Sequence, residues 1–179
     1  MTEEGGGNVQ VVSTGMEAKL RLETKHKSGS GWFFWIAVLS LINSGVMLAG
    51  GEWNFVVGLG MTQVVDAIAM GIVQEGGALG QVAHAVALMT NIVIAIVFIV
   101  FGVLSRKGFL WSYVVGMIIY ALDGLLFLLV KDMLSLGFHA FALFCIWGGL
   151  SAARQLRQFD AAKTETETSA VPPPVLPEA

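Results

Sequence analysis

Hydrophobic and polar positions in this chain are arranged in long blocks. Polar residues dominate 1–31 and 154–179, while the sequence between them is apolar with short polar interruptions. Five apolar segments occupy 32–50, 54–73, 82–104, 109–130 and 133–153. A helix needs roughly 20 apolar residues to cross a hydrocarbon core of about 30 Å. The pattern therefore predicts an all-α, polytopic helical membrane protein with five membrane-embedded helices.

The composition supports the lipid bilayer as the surroundings of these segments. Hydrophobic residues make up 55% of the 179 residues and charged residues only 13%, against about 25% charged residues in soluble domains. Nothing in the charge pattern favours a nucleic-acid partner. Aromatic residues near the starts of the segments are typical of the belt at a membrane interface: Trp32, Trp35, Trp53, Phe109, Trp111 and Tyr113.

The two polar ends predict different environments. Residues 1–31 begin "MTEEGGGNVQ" and lack the basic start and compact apolar core of a secretory signal peptide. Four basic residues precede the first segment and favour a cytoplasmic N-terminal tail: Lys19, Arg21, Lys25 and Lys27. The other end, 154–179, includes "TETETSAVPPPVLPEA", whose acidic, threonine-rich and proline-rich composition predicts a disordered tail.

The number of crossings stays open between four and five. With five crossings and a cytoplasmic N-terminus, the ten Lys and Arg residues divide equally between the two sides. If the segment 54–73 enters without crossing, nine lie inside and only Lys131 lies outside, which is the asymmetry of the positive-inside rule. That segment also contains Gln63 and Asp66, although it is long enough to cross.

Similar motifs occur twice in the same order and predict a duplicated helical hairpin that follows one N-terminal helix. "WNFVVG" at 53–58 corresponds to "WSYVVG" at 111–116, and "HAVAL" at 84–88 corresponds to "HAFAL" at 139–143. Between these motifs lie Asp66 in the first copy and Asp123 in the second. Such duplication is common among membrane transport folds, where sites form between the repeats, but it also occurs in proteins that transport nothing.

The candidate functional residues are polar side chains inside apolar segments, where an unpaired charge costs several kcal/mol. Asp123 and His139 each lie eight residues from Lys131. A hairpin that turns near Lys131 would hold both at one depth and let them pair. Asp66 and His84 would form the related pair, and Asn43 and Asn91 add amides that can bond between helices.

The stretches "VVGMIIYALDGLLFLLVKDMLSLGFHAFALF" and "WFFWIAVLSLINSG" resemble a group of small bacterial multi-pass membrane proteins. The resemblance covers about 32–158 and excludes both tails. It implies a location in the bacterial cytoplasmic membrane, and it implies no catalytic residues.

Two functions agree with buried polar side chains in a helical membrane protein. One is a noncatalytic scaffold or accessory subunit whose Asp, His and Asn side chains clamp its helices together, with a membrane protein or a second copy of the chain as partner. The alternative is a proton- or cation-translocating protein or transporter subunit, in which the two Asp and His pairs form the path. We expect no enzymatic activity and no cofactor.

Two further functions have weaker support. Two His and two Asp residues are suitable ligands for a metal, or the His residues for haem, but neither pair has the compact spacing of a known metal motif. Ser44 in "LINSG" lacks the preceding glycine of a Gly-x-Ser-Gly nucleophile motif, which argues against an intramembrane hydrolase. Cys145 is the only cysteine, so an intramolecular disulfide and a Cys-x-x-Cys site are excluded.

Overall fold

The computed structural model describes residues 4–49, 58–74 and 78–169, with the side chains of 4–14, 48 and 167 left out. These residues form five helices and confirm the predicted all-α fold. The helices are α1 (Glu4–Leu48), α2 (Gly60–Gln74), α3 (Ala78–Arg106), α4 (Leu110–Leu129) and α5 (Met133–Ser169).

Four of these helices are long and apolar enough to cross a membrane, namely α1, α3, α4 and α5. α2 is not among them, because its 15 residues extend only about 22 Å. The predicted segment 54–73 therefore becomes helical only at Gly60 in the described part of the chain. Residues 50–57, including Trp53 of the predicted interface belt, lie outside the described residues.

The four long helices surround a common core, and α2 packs beside them. α1 packs against α5 and α3, α4 packs against α3 and α5, and α2 lies mainly along α3 with contacts to α1 and α4. Aromatic and aliphatic side chains fill the centre of the bundle. Many other apolar side chains lie on its outer surface, where lipid would surround them. The largest of the buried aromatic and aliphatic side chains are Tyr113, Tyr120, Phe33, Phe98, Ile36, Leu59, Ile146 and Leu150.

α1 and α5 approach most closely at a pair of glycines. A Cβ built on Gly149 would lie 2.7 Å from the Cα of Gly29, so neither position has room for a side chain. In the sequence, small residues at four-residue spacing, which let helices approach closely, are Gly45 with Ala49 and Gly148 with Ala152. Gly45 has no neighbour within 4 Å, and Gly148 faces the flexible side chain of Lys25. Gly149, one residue away from the expected position, makes the contact.

Several hydrogen bonds show which chain ends and connections share one end of the bundle. Lys19 forms an ion pair with Asp160 at 2.8 Å, and Arg157 donates to the carbonyl of Gly108 at 2.6 Å. These contacts bring the start of α1, the α3–α4 connection and the end of α5 together. Lys131 lies at the opposite end of the bundle. The end where these contacts occur is called the basic end, because it carries the other nine basic residues: Lys19, Arg21, Lys25, Lys27, Arg106, Lys107, Arg154, Arg157 and Lys163.

Helical structure extends into both polar ends of the sequence. α1 begins at Glu4 and α5 continues to Ser169, so the prediction of a disordered tail is wrong for 154–169. The physical reason is that "RQLRQFDAAKTETETS" contains no glycine or proline and is rich in Ala, Arg, Gln, Lys and Glu, which tolerate a helix well. Residues 170–179, with the prolines, lie outside the described residues.

Candidate functional site

Asp123 on α4 lies at the N-terminus of α2. The backbone N–H of Gly60 donates to its Oδ2 at 2.8 Å, and the N–H of Met61 donates to its Oδ1 at 2.8 Å. The Nε2 atom of His139 lies 3.1 Å from the same Oδ2. Asp123 is 3% exposed, so this buried carboxylate is surrounded by hydrogen-bond partners rather than water.

The start of α2 explains why a carboxylate is needed there. The first N–H groups of a helix have no intrahelical partner, and the side chain that usually caps them belongs to Ser, Thr, Asp or Asn at the preceding position. That position holds Leu59, which has no polar group. Its own N–H donates to Ser40 Oγ of α1 at 2.8 Å. Two neighbouring helices therefore supply the caps that α2 lacks.

The contact between α2 and α4 also depends on a glycine. A Cβ built on Gly60 would lie 2.9 Å from the Phe127 ring, so a larger residue would push the start of α2 away from Asp123. The positive end of the α2 dipole then faces the carboxylate, and this arrangement favours its negative charge. The small size of Gly60 and the carboxylate of Asp123 are thus both needed for the contact between α2 and α4.

The hydrogen bonds of His139 determine how many protons the pair carries. His139 Nδ1 lies 2.9 Å from the carbonyl oxygen of Ser135, which can only accept, so Nδ1 carries a proton. The contact between Nε2 and Oδ2 requires a second proton. Either Oδ2 or Nε2 can carry this second proton. In both arrangements the pair has no net charge.

Aromatic rings surround the imidazole of His139. The ring of Tyr120 stacks on it with a centroid distance of 4.2 Å and an interplanar angle of 15°, and Phe127 contacts it at 5.0 Å. These ring contacts fix the orientation of the imidazole within the α4–α5 hairpin. The Tyr120 hydroxyl is buried and has no hydrogen-bond partner among the described residues.

The pairing of Asp123 with His139 follows the spacing about Lys131. Lys131 adopts a left-handed backbone conformation, with φ of 58°, between α4 and α5. Both side chains consequently lie at one depth of the hairpin, as predicted.

The second predicted pair is absent from the described residues. Asp66 is buried on α2, and its Oδ1 accepts a hydrogen bond from Asn91 Nδ2 at 2.6 Å. The same amide group donates to Ser44 Oγ at 2.8 Å. His84 is half-buried on α3, and its Nε2 has no hydrogen-bond partner among the residues that the structure describes. The expectation that Asp66 pairs with His84 is therefore wrong, because Asn91 lies nearer to Asp66 along the packed faces of α2 and α3.

The remaining candidates have structural surroundings of their own. Asn43 is 2% exposed and its amide faces the backbone of Gly58, so it lies where the chain approaches α2. Ser44 of α1 accepts a hydrogen bond from Asn91 of α3 and so links these two helices. The duplication itself stays a prediction, since Trp53 and its neighbours are outside the described residues and the two Asp residues have different partners.

A polar contact at the basic end was not predicted from the sequence. The Tyr113 hydroxyl donates to the carbonyl of His26 at 3.0 Å and lies 3.0 Å from His26 Nδ1. His26 Nε2 lies 3.3 Å from the carbonyl of Arg106 at the end of α3. Tyr113 is fully buried, so its assignment to the interface belt is wrong. His26 precedes the first apolar segment, and its position in the sequence gives no sign of this burial.

The side chains at these positions can form hydrogen bonds and exchange protons. In the described part of the chain, no group of three or more His, Cys, Asp or Glu side chains gathers as a metal site would require.

Comparisons with family models, curated proteins and solved structures found no match for this chain. The fold itself defines the class of protein. It is an all-α protein with four helices suited to crossing a membrane and a short fifth helix packed among them.

Proposed function

We propose that this protein is a noncatalytic scaffold or accessory subunit of a membrane assembly, in which Asp123 and His139 hold α2 against the four long helices. The observation that supports this proposal is the hydrogen bonding of Asp123. Its two oxygens accept from the N–H groups of Gly60 and Met61, and Oδ2 also forms a hydrogen bond with His139 Nε2. All three partners come from the same chain, so the carboxylate has a structural task that requires no substrate.

The basic end supplies the orientation of the proposed scaffold. Nine of the ten basic residues lie at the end that contains the start of α1 and the end of α5. The positive-inside rule then favours a cytoplasmic location for this end. The α1 and α5 extensions would be the part available to a cytoplasmic partner.

Orientation is testable with single cysteines in a Cys145→Ser background. Lys107→Cys reports on the basic end and Lys131→Cys on the other, and both wild-type residues are exposed. In intact cells, a membrane-impermeant maleimide should label the cysteine at 131 and leave the one at 107 unlabelled until the membrane is opened. The reverse labelling would place the basic end outside.

Proton translocation is the competing function, and Asp123→Asn separates it from the structural role. We expect reconstituted wild type and variant to give the same proton flux as protein-free liposomes under an imposed pH gradient, while the variant unfolds at a lower temperature in detergent. His84→Gln serves as the control for stability, because His84 Nε2 has no hydrogen-bond partner within the described ranges. Wild-type flux that is lost in a folded Asp123→Asn protein would overturn the scaffold proposal.

A further inference from the structure

A groove on the outer face of α1 runs from the basic end toward the middle of the bundle. It has a volume of about 510 Å³, and its lining includes Lys27, Trp32, Trp35, Leu39, Arg106 and Phe138. This volume lies within the roughly 300–1,000 Å³ of typical ligand sites. From Lys27 to Leu39 the groove extends about 18 Å along the helix, slightly more than half of a hydrocarbon core of about 30 Å.

Two cations lie together at one end of the groove. The Arg106 guanidinium lies over the Phe34 ring at 4.5 Å from its centroid and is 3.8 Å from the place of a Cβ on Gly31. Gly31 is one helical turn from Lys27, on the same side of α1. Both cations are exposed, and neither has a carboxylate within ion-pair distance among the described residues. Their positive charge is therefore available to an anion.

The rest of the groove is apolar and aromatic. Trp35 is 61% exposed, and the edge of Trp32 packs against Phe141 of α5 at 5.4 Å, which fixes one wall. Leu39 and Phe138 lie beyond the tryptophans. Tryptophan rings beside basic residues are typical of the level of lipid headgroups. The order along α1 is thus charge, aromatic ring and aliphatic side chain, as in one leaflet of a membrane.

We propose that this groove binds one molecule of an anionic phospholipid. The phosphate lies between Lys27 and Arg106, where two cations compensate its charge. One acyl chain follows the surface of Trp32, Trp35 and Leu39, while the other stays in the surrounding bilayer. This binding site is independent of the Asp123 clamp and of the proposed scaffold role.

The test uses full-length protein in nanodiscs that contain equal parts of phosphatidylglycerol and phosphatidylcholine. Native mass spectrometry after gentle release from the disc should show one retained phosphatidylglycerol on the wild type. In detergent titrations with phosphatidylglycerol, Lys27→Gln and Arg106→Gln should each weaken binding about five-fold. Trp35→Ala should also weaken it, whereas Arg106→Lys should retain most of the affinity.

Matched controls separate this site from general attraction to charged lipid. Lys107→Gln removes the adjacent exposed cation, and Trp111→Ala removes a tryptophan of similar exposure (53%); neither residue lines the groove. Both variants should bind phosphatidylglycerol like the wild type. Equal losses in the control variants would overturn the proposal. Equal retention of phosphatidylcholine, or competition by inorganic phosphate at lipid concentrations, would overturn it as well.

Discussion

Asp123 and His139 lie 16 residues apart in the chain, and their Oδ2 and Nε2 atoms are 3.1 Å apart across the α4–α5 hairpin. The same carboxylate accepts the first two N–H groups of α2 from a distance of more than 60 residues along the chain. One side chain therefore links three helices. Its burial is compensated by the hydrogen bond with His139 and by the N-terminal N–H groups of α2, which together explain how this side chain persists inside an apolar segment.

Asp123→Ala should lower the free energy of unfolding by about 3–5 kcal/mol, because it leaves the buried His139 Nε2 and two backbone N–H groups without a hydrogen-bond partner. The matched control is Asp132→Ala. Asp132 also caps a helix, accepting from the Ser135 N–H and hydroxyl. It lies at the α4–α5 turn, where the loss of an ordinary cap costs about 1 kcal/mol. Unfolding in mixed micelles would compare the two, and equal losses would contradict the clamp.

The Asp123 and His139 substitutions should be strongly non-additive. Once either partner is removed, the other has already lost its hydrogen bond. The loss of unfolding free energy in the Asp123→Ala, His139→Ala double variant should therefore be about 1–3 kcal/mol smaller than the sum of the losses in the two single variants. A double-mutant cycle on unfolding free energies measures this coupling. His84→Ala in place of His139→Ala should give a coupling close to zero, since His84 has no bond to either Asp residue.

Gly149→Ala should destabilise the protein by about 1–3 kcal/mol through overpacking. The new methyl group would meet the Gly29 backbone at 2.7 Å, and backbone atoms cannot move aside as a side chain can. Gly148→Ala is the control, because its methyl group would face only the Lys25 side chain at 3.3 Å. Thermal unfolding in detergent should therefore show a larger loss of stability for Gly149→Ala than for Gly148→Ala. A similar loss in both variants would argue against the close α1–α5 contact.

The Asp132 cap should make stability sensitive to acid. Its hydrogen bonds with Ser135, the hydroxyl first and the backbone N–H second, lower the pKa of the Asp132 carboxyl from its ordinary value. A lowered folded-state pKa means that the stabilisation is present above the unfolded-state pKa and is lost as pH falls through the folded-state value. Asp132→Asn keeps a capping oxygen but does not titrate. The stability difference between wild type and this variant should shrink on acidification, and a pH-independent difference would refute the role of the carboxylate.

The sequence alone determined the class of fold, because lipid permits few ways to satisfy a backbone and long apolar blocks select the helical one. It also determined the Asp123 and His139 pair, since equal spacing about Lys131 is a local geometric property of a hairpin. Charge counting left four and five crossings open. The described residues include four helices long and apolar enough to cross a membrane, and the 15-residue α2 is not one of them.

Only the tertiary structure decided what these polar groups contact. The start of α2 carries no capping residue of its own, so no local pattern around Leu59 and Gly60 indicates that Asp123 supplies the cap. The partner of Asp66 is Asn91 rather than His84, and His26 reaches Tyr113 across 87 positions of the chain. Hydropathy and periodicity are properties of neighbouring residues, whereas hydrogen bonds between helices depend on packing angles and depths that are set by the whole bundle.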